Sequence, residues 1–363
     1  MEQNVVSEKD QNVVNMTAYS DPTSDPTSGP TSNPMGDPTS NPASASGEQT
    51  ALTYKIVVDS TADFTRAMWK DLSNDVLIVP LHLDPPELEK LTLDKYYKYL
   101  RDHKSDEDRV HTSSGTINDA QGVIGRAFSE GYDVIYLTMA QSLSQGSYRV
   151  AKMAAENMRL KYPERKIMVL NSGCASTGLG LLVERLVKKR LPYNKAIEFV
   201  YNQAPKIIHI FTVDNFSSLI NGGRFDEASK SLSVRILSWK PVQKILQVLG
   251  IFVKIIIGFY DDENGIKTMM PLRVKWGKKQ LVNGFIKEIL RYLPETPDTS
   301  PDIVIAYAGD DGFSDKLHSA LYDRYPDIYQ RTREARIGKV MGTHCGETAT
   351  AVFFWGTRKL TKH

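Results

Sequence analysis

Residues 132–158 read YDVIYLTMAQSLSQGSYRVAKMAAENM, and this stretch decides the architecture. Asp133 to Leu137 is a β-branched and aromatic run, which predicts a buried strand. Ala151 to Met158 has helical periodicity, with Val150, Met153, Ala154 and Met158 on one face. Between them lies a loop carrying Ser142, Ser144, Gly146, Ser147 and Tyr148. In an α/β sheet, ligands sit beyond the C-terminal ends of the strands, where helix N-termini present free N–H groups. A serine loop at that place suits a small anion or a carboxylate. The alternative is that Ser144 or Ser147 only caps the helix.

The same unit of strand, polar loop and helix recurs on either side. Upstream, a strand over 54–58 leads into Asp59-Ser60-Thr61-Ala62-Asp63, where Ser60 or Thr61 can cap a helix over 64–72. A strand over 76–83 and a tyrosine-rich amphipathic helix over 93–103 follow. His111-Thr112-Ser113-Ser114-Gly115-Thr116 is a second hydroxyl loop, before a helix over 118–129 that Gly131 ends. Downstream, a strand over 166–170 leads into NSGCASTGLG at 171–180 and a helix over 181–189. Repetition of this unit predicts a parallel sheet with both faces covered.

After Pro205 the pattern changes. Strands are expected at 207–213, 252–259, 266–272, 301–308 and 336–340, with a last apolar strand at 349–355. Helices are expected at 231–249, 278–293 and 313–324. Asn221-Gly222-Gly223-Arg224 reads as a tight turn presenting an arginine, and Gly342-Thr343-His344-Cys345-Gly346 as a turn into the last strand. The expected organisation is an α/β protein of three parts. A disordered Pro/Ser/Thr/Asp-rich tail occupies 1–51, where DPTS-like tetrapeptides put a proline at every fourth residue between Pro22 and Pro42. An N-terminal α/β domain spans 52–205 and a C-terminal α/β domain spans 206–363, with a ligand cleft between them.

Composition narrows the function classes. The first 50 residues hold seven acids and one lysine, net −6, so the chain's +2 leaves +8 on the rest. That charge is not gathered into a dense Lys/Arg run, which favours an anionic ligand or an acidic partner over nucleic acid. Two cysteines, Cys174 and Cys345, make no disulfide framework and point to a reducing, cytoplasmic home. The first residues lack a charged-then-apolar leader pattern. The apolar stretch 245–260 is interrupted by Gln247 and Lys254 and is too short to span a bilayer, which leaves at most transient contact with a membrane surface. No Walker loop, Gly-x-Gly-x-x-Gly spacing or clustered metal ligands are present in the sequence, so neither a cofactor nor a metal is expected.

Six short motifs then coincide in order. They are Asp59-Ser-Thr-Ala-Asp63; Thr112-Ser113; Leu143-Ser144 with Gly146-Ser147-Tyr148; Ser172 with Cys174-Ala-Ser176 and Gly178-Leu-Gly180; Gly222-Gly223-Arg224; and Gly342-Thr343-His344. Together, from Lys55 to Gly356, they resemble the DegV family of fatty-acid-binding proteins. The resemblance implies two α/β domains with one long-chain fatty acid between them, in some members the lipid-carrying subunit of a fatty acid kinase. It implies that Thr112, Ser113 and Ser144 hold the carboxylate, that His344 completes the network, and that Ser147 substitutes if the loop is shifted. Arg224 would face a separate ATP-binding kinase subunit at the cleft mouth. The chain departs from the family pattern at Ser114-Gly115, at the extra Gln145, at Asn171 and at Glu347-Thr348, with an insertion between Arg224 and Gly250. Lys254, or alternatively Lys240-Pro241, stands at the family's Lys-Pro position.

A fatty acid asks two things of its site. Its chain gains about 0.8 kcal/mol per buried methylene, so about fourteen methylenes give roughly 11 kcal/mol as an upper bound. Its carboxylate needs hydrogen bonds or a positive charge once out of water. Met153, Met158, Phe211, Phe216, Ile220, Phe353 and Phe354 are tunnel candidates, with core packing as the alternative for each. The competing functions are a binding protein for another amphiphilic lipid, and a stand-alone enzyme of the related dihydroxyacetone-kinase-like fold. A nucleophile–base pair at Cys345 and His344 is disfavoured if the turn runs directly into a strand, where adjacent side chains diverge.

Overall fold

A computed structural model describes residues 52–103, 109–213, 253–261, 267–296, 301–309 and 312–360. The tail at 1–51, the tunnel candidates Phe216 and Ile220, Arg224, the expected helix at 231–249 and Lys240-Pro241 lie outside the described residues.

The first half alternates as expected. Its elements are β1 (Tyr54–Asp59), α1 (Arg66–Leu72), β2 (Val76–Val79), β3 (His82–Asp84), α2 (Leu93–Asp102) and β4 (His111–Ser113). There follow α3 (Ile117–Ser129), β5 (Asp133–Thr138), α4 (Gln145–Lys161), β6 (Ile167–Asn171), α5 (Thr177–Lys189) and α6 (Tyr193–Gln203). Strands β2-β1-β5-β6 form a four-stranded parallel sheet. The single strand expected over 76–83 is two, because Pro80 has no N–H for a ladder. Its second piece, β3, turns away and pairs antiparallel with β4, so the Thr112-Ser113 segment is a short strand and not a loop. The cap of α1 is Thr65, whose hydroxyl accepts from Met68 N–H, and neither Ser60 nor Thr61; these two lie in a single 3-10 turn. Helix α6 was not among the expected elements; it buries Ala196 and Val200 and packs Ile197 and Phe199 against the same core.

The second half comprises β7 (Ile207–Thr212), β8 (Val253–Asp261), β9 (Lys267–Trp276), α7 (Lys278–Tyr292), β10 (Ile303–Tyr307), α8 (Phe313–Arg324), α9 (Pro326–Tyr329), β11 (Thr332–Arg336), α10 (Lys339–Cys345) and β12 (Thr350–Trp355). They build a six-stranded mixed sheet in the order β11-β10-β12-β7-β8-β9, in which only β10 and β11 run parallel. Two expectations fail here. The strand expected over 336–340 ends at Arg336, and the stretch read as a turn at 342–346 is the end of helix α10. A helix is possible there because Gly346, at φ 82°, stops it before the last strand begins.

Helix α5 is buried all round, from Thr177 to Val187, because it packs against α1 on one side and against β7 and β12 on the other. Its glycines permit this. A Cβ at Gly178 would lie 2.3 Å from His209 Nε2, and one at Gly180 would lie 2.8 Å from the carbonyl oxygen of Ala62. One apolar core consequently runs from β1 and α2 through α5 to β8 and β12. A second core lies under α7 and α8, and a third between α3, α4 and the parallel sheet.

Candidate functional site

The hydroxyl loops end beside one another because three β-strands of the parallel sheet, β1, β5 and β6, deliver them to the same edge. After β1, buried Asp59 caps the turn and accepts the Met139 N–H at 2.8 Å, tying the first loop to the third. Burial raises the Asp59 carboxyl above its usual range. After β6, the Asn171 side chain accepts from the N–H groups of Gln141 and Gly173 at 3.0 and 3.1 Å, and Ser172 accepts from Cys174 N–H.

The opposite side of the site is α10. Two tyrosines of α2 seat it. Tyr97 Oη donates to the Ile337 carbonyl at 2.6 Å, and Tyr96 Oη meets Thr343 Oγ1 at 2.5 Å. Gly342 lets the helix sit directly on the Tyr97 ring, since a Cβ there would lie 2.3 Å from its hydroxyl. This seat points His344 at β4, where its Nε2 lies 2.8 Å from Thr112 Oγ1. Thr112 and His344, 232 residues apart, thus share one hydrogen bond.

A single pocket holds these groups. It is lined at one end by Thr112, Ser113, Ser114, Ser144, His344 and Cys345. Leu81, Met139, Leu143, Val340 and Met341 flank them, and Phe211, Phe259, Met269, Ala351 and Phe353 make the wall on the six-stranded sheet. Its empty space, mouth included, is about 950 Å³, within the usual range for a small-molecule site. Among the described residues the lining contains no Lys, Arg, Asp or Glu. An anion there would be met by hydroxyls and imidazole, while an apolar chain would meet methionine and phenylalanine.

Each candidate residue has a definite place. Thr112, Ser113, Ser144 and His344 all line the pocket. Ser144 also caps α4, accepting from Ser147 N–H at 3.2 Å, so capping and pocket lining are not alternatives. Ser147 is buried behind it, its Oγ 2.8 Å from Ser144 Oγ, and is not part of the lining. The extra residue, Gln145, begins α4 and faces solvent. Gly115 is required by packing, as a Cβ would lie 2.4 Å from the Pro80 carbonyl oxygen. The Glu347 carbonyl accepts from Gly309 N–H at 2.7 Å, and neither Glu347 nor Thr348 reaches the pocket. Lys254 is buried on β8 and outside the lining.

Of the described tunnel candidates, Phe211 and Phe353 line the pocket and three do not. Met153 is 51% exposed on α4, Met158 packs in the core beneath α3 and α4, and Phe354 faces the core under α7 and α8. Phe353 and Phe354 separate because neighbouring residues of a strand point to opposite faces. Much of the lining was not foreseen as such, Cys345, Ser176, His209 and Phe259 among it. Cys345 and His344 share the pocket wall because they are helical neighbours and not strand neighbours. His209 stands two residues before Phe211 on β7, so the alternation of the strand carried the signal. It accepts from Ala175 N–H at 3.2 Å, stacks on Phe259 and meets Phe353 edge-on. Among the described residues, no three His, Cys, Asp or Glu side chains are placed to hold a metal, and no helix is long and apolar enough to cross a membrane.

Comparison with known proteins agrees with this fold. The model of the DegV family, described as uncharacterised proteins, matches residues 53–357. A DegV domain-containing protein of Clostridium perfringens is 26% identical over 321 residues, which cover 84% of this chain and 98% of that protein. The fatty-acid-binding DegV family protein of Thermus thermophilus superposes with a TM-score of 0.63 at 19% identity, covering 84% of this chain and all of that one. A stearic-acid-binding protein of Eubacterium ventriosum superposes at 0.62 with 22% identity, over 83% of this chain and 98% of the other. The order of the loops, the fold and the span of the family match lead to one conclusion: this chain belongs to the DegV family.

Proposed function

We propose that this protein binds a long-chain fatty acid, with the carboxylate at Thr112, Ser113, Ser144 and His344 and the chain against the methionines and phenylalanines of the same pocket. The observation that carries the reading is the sharing of one pocket by a hydroxyl–imidazole cluster and an apolar wall. Hydroxyl donors meet a desolvated carboxylate at little cost to the free pocket, because they also bond one another, as Ser144 and Ser147 do. The apolar wall supplies the larger share of affinity, at about 0.8 kcal/mol per methylene buried.

The carboxylate end lies on a short two-stranded ribbon and on two helix ends, which suits presentation of the head group to a second protein. By its family resemblance, we assign that partner as an ATP-binding kinase subunit that phosphorylates the bound acid, with this chain as the lipid carrier in a reducing cytoplasm. The experiment for the lipid is organic extraction of the purified protein followed by mass spectrometry, in which a near-stoichiometric long-chain fatty acid is expected. Protein that yields none and fails to take up added palmitic acid refutes the reading. For the kinase step, acyl phosphate should form from the loaded protein only when the partner and ATP are added.

A further inference from the structure

The carboxyl group of Asp63 joins three pieces of chain at the pocket. It accepts a hydrogen bond from Ser176 Oγ at 2.5 Å, and Ser176 lines the pocket. It also accepts from the backbone N–H of Gly338, the residue that opens α10 and so fixes the base of the helix bearing His344. The approach is close, since a Cβ at Gly338 would lie 2.1 Å from Asp63 Oδ1. Asp63 itself is 3% exposed. The titratable groups around it are Asp59 from its own loop and Tyr97 from α2, with Arg336 of β11 and Cys345 of α10 beyond the Tyr97 ring. Arg336 is engaged by Asp94 and the Ala308 carbonyl. Helix α5 contributes only hydroxyls, Ser176 and Thr177.

We propose that Asp63 is a positioning residue of the pocket, whose proton decides which way the Ser176 hydroxyl faces, so that an anionic ligand is held more tightly when Asp63 is neutral. This rests on the fatty-acid reading above. As a carboxylate, Asp63 can only accept, so Ser176 must give it its one proton and shows the pocket lone pairs alone. When Asp63 is neutral, its O–H donates to Ser176 Oγ while its other oxygen keeps the Gly338 N–H. The Ser176 proton is then released to act as a donor into the pocket. The exchange keeps both links, adds a donor for the ligand and removes a buried negative charge near it. Burial raises the Asp63 carboxyl to about 7, so the exchange falls at ordinary pH. By linkage, binding of an anion draws a proton onto Asp63, and affinity rises as pH falls through neutrality.

Asp63→Asn holds the neutral arrangement, with Oδ1 accepting from Gly338 and Nδ2 donating to Ser176. Palmitic acid affinities of wild type, Asp63→Asn and Ser176→Ala are compared from pH 5.5 to 8.5. The wild-type-to-variant ratio cancels ionisation of palmitic acid and of His344. The two proteins should match at pH 5.5, and Asp63→Asn should bind up to about tenfold more tightly at pH 8, one unit above the wild-type transition. Ser176→Ala should lose more affinity at pH 5.5 than at pH 8. A purely structural role predicts instead that Asp63→Asn binds worse at every pH; that result, or parallel profiles, overturns the proposal. If Asp63→Asn does not fold, a Ser176→Ala profile parallel to wild type overturns it equally. Wild type that binds no palmitic acid at any pH refutes the fatty-acid reading and this proposal with it, whereas binding with parallel profiles refutes this proposal alone.

Discussion

Thr112→Val removes one hydroxyl from the pocket and leaves the side chain's bulk nearly unchanged. The hydroxyl meets His344 Nε2 at 2.8 Å, so its loss takes away a carboxylate donor and the group that orients the imidazole. A hydrogen bond to a charged group contributes about 1.5–3 kcal/mol, which corresponds to a roughly ten- to 150-fold rise in Kd for a fatty acid. Stability should change little, because Thr112 is half-buried on a three-residue strand. The assay is titration with a fluorescent long-chain fatty acid, or calorimetry with palmitic acid, beside a thermal melt. Ser147→Ala serves as the comparison. Ser147 lies behind Ser144 and outside the lining, so its affinity should remain within about threefold of wild type. A Thr112→Val protein that melts like wild type and binds within twofold of it refutes the placement of the head group.

Three further outcomes are expected. Ala351→Phe puts a ring into the apolar wall and should cut fatty-acid affinity at least tenfold in protein that still melts cooperatively, at a stability cost of about 1–3 kcal/mol; unchanged affinity places the chain elsewhere. Gly342→Ala forces a methyl to within 2.3 Å of a Tyr97 hydroxyl that is itself bonded to the Ile337 carbonyl, and should cost about 1–3 kcal/mol in denaturant unfolding, with no loss refuting the seat of α10. Stability should also depend on pH through Asp63. Folded Asp63 keeps its proton to about pH 7, while an unfolded aspartate releases it near about 3.9. The folded chain therefore binds the extra proton between these values, and stability falls as pH rises from about 4 to 7, by on the order of 4 kcal/mol across the window. Asp63→Asn should flatten that fall, and identical profiles would refute the burial of an ionisable group there.

Much of the fold was legible because its signals are local. The run of β5, the serine loop and the amphipathic face of α4 follow from residues adjacent in the chain, and the repeat of that unit implies a parallel sheet. The pocket residues Thr112 and Ser113, on the short strand β4, and Ser144, at the cap of α4, stand in local hydroxyl-rich segments and were legible for the same reason. Errors arose where a local pattern has two solutions. The segment from Gly338 to Gly346 holds three glycines and the polar side chains of Lys339, Thr343 and His344, and it reads as a turn until α2 is packed against it. Phe353 and Phe354 are equally apolar, and only pairing with His209 and Ile208 on β7 tells which faces the pocket.

By itself the sequence determined that strands deliver hydroxyl loops to one edge of a parallel sheet, because strand and helix periodicity, capping residues and breakers act over a few residues. Tertiary structure alone decided that Thr112 meets His344, that α10 is a helix seated on Tyr96 and Tyr97, and that Asp63 reaches both Ser176 and Gly338. Those contacts join residues more than one hundred positions apart. They depend on how α2, α5 and α10 stack between two sheets, and a short-range pattern carries no trace of that stacking.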